Sequence, residues 1–229
     1  MKILITRSKE SSQQLNKSLI QMGHEVINLP TLNITSVDMQ PLDLTQCDGL
    51  IFTSKNAVNN FKYEGKIKHI DCFCVGAATE KFLRLRGFQN TFSADGDAAT
   101  LKNLILNQAN LPYKNLVYLC GDVVSVDLEK ELIKENIKIT KIVNYKSEKI
   151  QNIEPETLEK LKTKAPDVIF VYSLRSAESF LDMVKKYSLD QLMTESEVKC
   201  ISKRIFDFFS VNNWKKINLV TPGMETLKL

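Results

Sequence analysis

One fourteen-residue layout occurs twice in this sequence. Asp48-Gly-Leu-Ile-Phe-Thr-Ser-Lys-Asn-Ala-Val-Asn-Asn-Phe61 and Asp167-Val-Ile-Phe-Val-Tyr-Ser-Leu-Arg-Ser-Ala-Glu-Ser-Phe180 share it. They align Asp48 with Asp167, Ser54 with Ser173 and Phe61 with Phe180, all at an offset of 119. Each copy opens with an apolar run short enough for one buried strand. A polar step follows, Thr53-Ser54-Lys55-Asn56 in the first copy. Ala57, Val58 and Phe61 then recur at helical spacing. Strand, hydroxyl-rich turn and helix together leave backbone N–H groups and hydroxyls at a helix N-terminus. Such a place binds anions without a charged side chain.

The neighbours of the two copies also recur. Leu15-Asn-Lys-Ser-Leu-Ile20 matches Leu128-Glu-Lys-Glu-Leu-Ile133 at an offset of 113, and Cys72-Phe-Cys-Val75 matches Val198-Lys-Cys-Ile201 at an offset of 126. Unit types that repeat in order with slowly growing offsets predict an internal duplication. The expected fold is α/β, with two similar domains whose parallel sheets are flanked by helices.

Between these landmarks the chain opens β-α-β. Lys2-Ile-Leu-Ile-Thr6 is a strand. A helix with Leu15, Leu19 and Ile20 on one face ends at Gly23, and Glu25-Val-Ile-Asn-Leu29 is stopped by Pro30. Leu32-Asn-Ile34 is extended. Asp71 to Val75 is a strand, followed by a helix that Gly87 ends. Asp97-Ala-Ala-Thr100 precedes another helix, and Asn115 to Leu119 is a strand. Parallel sheets place ligands beyond the carboxyl ends of their strands. Those ends carry Thr6-Arg7, Thr53-Ser54, Gly76, Gly121-Asp122, Ser173 and Ser202-Lys203-Arg204. Two such edges facing each other would form a cleft suited to carboxylates or phosphates.

Composition narrows the chemistry. A formal charge of +4 without a Lys/Arg block gives no basic stripe for nucleic acid. No apolar run approaches the ~20 residues of a membrane helix. The opening apolar run is too short for a signal peptide, so a cytoplasmic protein is expected. Five cysteines with no Cys-x-x-Cys pair argue against a disulfide framework or zinc site. Four of them, Cys72, Cys74, Cys120 and Cys200, lie in apolar runs and read as buried thiols. Dinucleotide and P-loop glycine patterns are missing. The only histidines, His24 and His69, read as surface residues, which disfavours a His-based triad or metal site.

Several segments resemble those of the uroporphyrinogen-III synthase family. They are Ile3-Leu-Ile-Thr-Arg7, Gly23-His-Glu-Val26 with Leu29-Pro30, Asp48 to Phe61, Cys74-Val-Gly-Ala-Ala-Thr79, Val143-Asn-Tyr145 and Asp167 to Phe180. Together they span essentially the whole chain. The resemblance implies two α/β domains joined by two extended connecting strands. One domain would hold 1–34 with 148–229, and the other, inserted, 35–147. It also implies a reaction without cofactor. Hydroxymethylbilane, a linear tetrapyrrole with eight carboxylates, is closed to uroporphyrinogen III with inversion of the last pyrrole and loss of water. The expected state is a monomer with no nucleic-acid or membrane partner. A transient contact with the enzyme that makes hydroxymethylbilane is also implied.

On this resemblance, Thr53, Ser54 and Asn56 donate hydrogen bonds to substrate carboxylates, or only cap their helix. Gly76 lets backbone approach the ligand, or only makes a tight turn. Thr6, Thr79 and Gly121 are further candidates. Ser173, Arg175 and Ser176 mirror the first set, and Arg7 pairs with a substrate carboxylate, or only with an Asp or Glu nearby. The family's Gly-Pro-Thr-Thr-like turn is replaced by Ser202-Lys-Arg-Ile205. Ser202, Lys203 and Arg204 then stand in for its hydroxyl or form a solvated basic turn. Tyr145 is the candidate acid, bonding the leaving hydroxyl, or an interdomain packing residue. A non-catalytic, two-lobed protein for a small polyanion is the alternative.

Overall fold

A computed structural model describes residues 1–66, 69–95, 98–108, 115–124, 126–211, 213–221 and 223–229. Asp97, expected just before a helix, lies outside the described residues. The chain opens with β1 (Lys2–Ile5), α1 (Gln13–Gln21), β2 (Glu25–Asn28) and β3 (Leu32–Ser36). Next come β4 (Leu42–Asp43), β5 (Gly49–Phe52), α2 (Lys55–Asn59), β6 (Tyr63–Glu64), β7 (Asp71–Val75), α3 (Ala77–Leu85) and β8 (Thr91–Ala94). α4 (Ala98–Leu106), β9 (Leu116–Gly121), α5 (Leu128–Ile133) and β10 (Ile139–Lys149) follow. The last part holds α6 (Pro155–Thr163), β11 (Val168–Val171), α7 (Leu174–Lys186), α8 (Asp190–Met193), β12 (Glu197–Cys200), α9 (Lys203–Ser210) and β13 (Lys216–Leu219).

Two compact units result, Met1–Asn33 with Glu148–Leu229, and Ile34–Ser147. The chain passes between them in β3 and β10. Among the described residues, the first unit holds a sheet ordered β13-β12-β11-β1-β2 and the second a sheet ordered β3-β10-β9-β5-β7-β8. The first sheet is parallel throughout, and β10 to β8 are parallel in the second. β3 runs against β10. Val37 N–H donates to Asn144 O at one end and Ile150 N–H donates to Thr31 O at the other. β4 and β6 form a separate parallel pair.

Both faces of each sheet are covered, so the central strands read as continuous apolar runs. In the first unit Leu4, Ile169, Val171 and Val198 pack with Phe180, Met183 and Phe209 from α7 and α9. Ile3, Ile5, Val168 and Phe170 pack on the other face with Leu19 of α1. In the second unit Leu50, Phe52, Cys72 and Leu119 pack with Ala57, Val58 and Phe61. Ile51, Phe73 and Tyr118 pack with Leu101, Ile105, Leu128 and Leu132 on the opposite face. Each such large side chain contributes roughly 1.5–3 kcal/mol on burial.

The two repeated aspartates do the same work. The Asp48 carboxylate accepts the N–H of Asn115, one residue before β9, at 2.6 Å, and the Asp167 carboxylate accepts the N–H of Lys2, which opens β1, at 2.6 Å. Each ties the start of its own strand to that of a sheet neighbour. The apolar face of α1 is narrower than expected. Leu19 is buried, but Ile20 is 60% exposed, because five helical steps turn a side chain well away from Leu15. The expected turn at Ser202–Ile205 is instead the start of α9, with Ser202 as its cap. Cys72, Cys74, Cys120 and Cys200 are buried and free. Burial pushes all four thiols upward, Cys74 and Cys120 to about 11 and Cys200 to about 12. They are packing groups, not nucleophiles.

Candidate active site

The carboxyl edge of the second unit's sheet gathers Thr53, Ser54, Tyr118, Gly121 and Tyr145. Ser54 caps α2, its hydroxyl accepting the Asn56 N–H at 3.0 Å. That leaves the Ser54 hydroxyl proton to donate elsewhere. Thr53 Oγ1 and the Tyr118 phenol oxygen are 3.2 Å apart. Tyr145 is 8% exposed, and its ring packs against Gly121. A Cβ on Gly121 would stand 2.7 Å from Tyr145 Cζ and 2.9 Å from its phenol oxygen. Gly121 thus seats the tyrosine ring.

Both phenols are neutral well above physiological pH. Burial pushes Tyr118 up to about 12, opposed by its bond to Thr53. Burial also raises Tyr145, opposed by Ser54. A neutral phenol in a low-dielectric setting is a proton donor, and the carboxylates of Asp122 near Tyr145 and Asp127 near Tyr118 further favour the neutral form. Along the same edge, Gly76 holds φ at +79° with open space where a side chain would stand. Its carbonyl accepts the Thr79 N–H at 2.9 Å. Thr79 is buried in the first turn of α3. Asn56 is half-buried, and its carbonyl accepts the Asn60 amide.

α2 is five residues long and is held from outside. Asn144 Nδ2 donates to Ala57 O at 2.7 Å. The Arg86 guanidinium donates to Val58 O and, at 2.9 Å, to Phe61 O. A helix this short does not hold itself in water.

The carboxyl edge of the first unit's sheet is organised around a cation. The Arg7 guanidinium stacks on the Tyr172 ring, 3.6 Å from its centroid. Burial lowers the Arg7 pKa, and Tyr172 and Glu225 act in the opposite direction. The Thr6 hydroxyl is buried and donates to Phe170 O at 2.9 Å. Ser173 caps α7, accepting the N–H of buried Ser176 at 3.0 Å, and half-buried Arg175 lies in the same turn. Ser202 caps α9, where the Lys203 ammonium pairs with Asp207 one turn on and Arg204 is exposed.

A family model described as uroporphyrinogen-III synthase HemD matches residues 13–227. The chain belongs to the uroporphyrinogen-III synthase family. It is 25% identical over 210 residues to a porphyrin biosynthesis protein HemD of Ruminiclostridium josui, covering 83% of this chain and 41% of that protein. The chain therefore spans well under half the length of that relative. The fold resembles a crystal structure of uroporphyrinogen-III synthetase from Helicobacter pylori with a TM-score of 0.63 at 17% identity, over 98% of this chain and 94% of the other. A mutant uroporphyrinogen III synthase from the extremely thermophilic bacterium Thermus thermophilus aligns with a TM-score of 0.58 at 14% identity, over 99% and 95%.

Uroporphyrinogen-III synthase membership leaves the residue roles to the geometry. Tyr118 and Tyr172 were absent from the sequence-based candidates. Tyr118 sits in the apolar strand β9 and Tyr172 directly follows the apolar strand β11, so both read as core, and their partners Thr53 and Arg7 are distant in sequence. Among the described residues, no group of His, Cys, Asp and Glu is arranged to hold a metal ion, and no helix is long and apolar enough to cross a membrane.

Proposed function

We propose that this chain closes hydroxymethylbilane to uroporphyrinogen III, inverting the last pyrrole and releasing water, as a cytoplasmic monomer without cofactor. The observation that carries the reading is the family match over 13–227 combined with a buried, neutral Tyr145 packed with Ala57 and Val58 of α2. Tyr145 is assigned the proton donor that helps the substrate hydroxyl leave. Thr53, Ser54, Asn56, Gly76 and Thr79 are assigned to substrate carboxylates on one edge. Arg7, Ser173, Arg175, Ser176 and Ser202 to Arg204 are assigned the same role on the other. Thr6 and Gly121 are given supporting roles, because a carbonyl and the Tyr145 ring already occupy them.

The test is incubation of purified protein with freshly prepared hydroxymethylbilane, followed by isomer analysis. Uncatalysed closure gives isomer I, so isomer III in excess supports the proposal. Isomer I alone, together with tight binding of the tetrapyrrole, would instead identify a non-catalytic binding protein.

A further inference from the structure

We propose that Asn144 is a positioning residue, pinning an extra residue of β10 to α2 so that the Tyr145 ring is turned to the α2 face of the sheet, against Gly121. The inference rests on the assignment of Tyr145 as the acid.

Side chains on a regular strand alternate between faces. On β10, Ile139 packs with the α4 and α5 side of the sheet and Ile142 with the α2 side. Continued alternation would send Tyr145 to the α4 and α5 side. It packs on the α2 side instead. The register explains the change. Val143 pairs with Cys120 and Tyr145 pairs with Gly121, the next residue of β9. Asn144 is therefore one residue too many, a bulge in a parallel pair. Bulges are rare in parallel pairs and serve to re-aim side chains.

Asn144 is fastened on two sides. Its carbonyl accepts the Val37 N–H at 3.1 Å, and its Nδ2 donates to Ala57 O at 2.7 Å. The residue is fully buried, and its Oδ1 has no partner among the described residues. An apolar side chain would fill this place without leaving a buried acceptor unmet, so the amide is explained by the bond to α2. Ala57 lies three residues after Ser54. The pin thus fixes the height of the α2 cap relative to the residue that follows Asn144, which is Tyr145. Downstream, Tyr145 O accepts the Asp122 N–H at 3.1 Å and Asp122 Oδ1 accepts the Ser147 N–H at 3.0 Å, which closes the bulge.

The test uses the full chain with N144A and N144L, each alone and in a Y145F background. A parallel set is labelled with 3-fluorotyrosine. Among the six tyrosines, the Tyr145 signal is the fluorine resonance missing from Y145F. Both Asn144 variants should lower kcat for isomer III roughly 10- to 100-fold with little change in KM, since small misplacements of a catalytic group cost about this much. They should cause no further loss in the Y145F background, and should shift the Tyr145 resonance while the other five stay in place. Equal losses with and without Tyr145, or an unmoved Tyr145 resonance, overturn the inference. So does a general collapse of all resonances in both variants, which would make Asn144 a folding residue only. If the parent protein makes no isomer III, the proposed reaction fails by itself, and the fluorine spectra alone decide whether Asn144 positions Tyr145.

Discussion

The two copies of the strand–serine–helix layout share their capping chemistry and differ in what holds the helix. Ser54 and Ser173 each accept a backbone N–H from the first turn at 3.0 Å. α7 then runs thirteen residues and buries Ala177, Phe180, Met183 and Val184. α2 runs five, and its carbonyls are met by Asn144 and Arg86 from other segments. The self-supporting copy lies beside a stacked arginine and the propped copy beside a buried phenol. One local pattern thus serves two purposes. Packing makes the α7 end a fixed arrangement of donors beside a cation. External props from Asn144 and Arg86 fix the α2 end.

The comparison breaks most visibly at Tyr145. Y145F should lower turnover roughly 10²–10⁴-fold with the fold intact, and isomer I should overtake isomer III. Near-parental formation of isomer III would reduce the phenol to packing. G121A comes next. Its methyl occupies the ring's place, and a displaced ring should slow the reaction roughly 10- to 100-fold. A G121A enzyme of parental rate would show that the ring need not sit there.

R86A tests the props. Losing charged hydrogen bonds to two carbonyls should destabilise the protein by about 2–3 kcal/mol, read as a lower urea midpoint. S173A, which removes only a cap from a well-packed helix, should cost about 1 kcal/mol. Equal losses would erase the distinction between propped and self-supporting helices. At the cation, Y172L removes the face on which Arg7 lies. KM should rise about two- to fivefold at low salt, as expected for losing a cation–π contact. That difference should shrink as ionic strength shortens the Debye length from ~10 Å at 0.1 M.

Alkaline titration should show the smallest effect. The folded-state pKa of Tyr118 is raised to about 12 by burial, above the unfolded value near 10. The stability linked to it is complete below pH ~10 and is lost as pH rises toward 12. Tyr145 moves in the same direction, so turnover should stay flat from pH 7 to about 9. A fall within that range would point to a different proton donor.

The parallel α/β sheets were legible in the sequence because the central strands are buried on both faces and therefore carry unbroken apolar runs. The serine caps were legible because a hydroxyl before a helical pattern is a local signal. α6 was not, because Leu158 and Leu161 are almost its only apolar residues in a highly charged stretch. β13 was missed because it is an edge strand that alternates Lys, Ile, Asn and Leu. At the site, Tyr145 was named a candidate by resemblance, but its orientation could not be read from the sequence. The bulge at Asn144 exists only in the pairing of β10 with β9, and a register is a property of two strands. Tyr118 was hidden for a similar reason, since Thr53, its partner, is 65 residues away.

β1 also decides the order in which the molecule can be made. It pairs on one side with β2, about twenty residues on, and on the other with β11, where Ile3 meets Val168. A ribosome therefore releases Ile3, Leu4 and Ile5 long before the strand that covers their free edge exists. The whole of the second unit emerges in between and can close its sheet first. The first unit must wait for a contact of very long sequence separation, which slows folding and leaves an apolar edge open to wrong partners. A released fragment ending between residues 150 and 167 should yield one protected unit and one sticky N-terminal β-α-β segment.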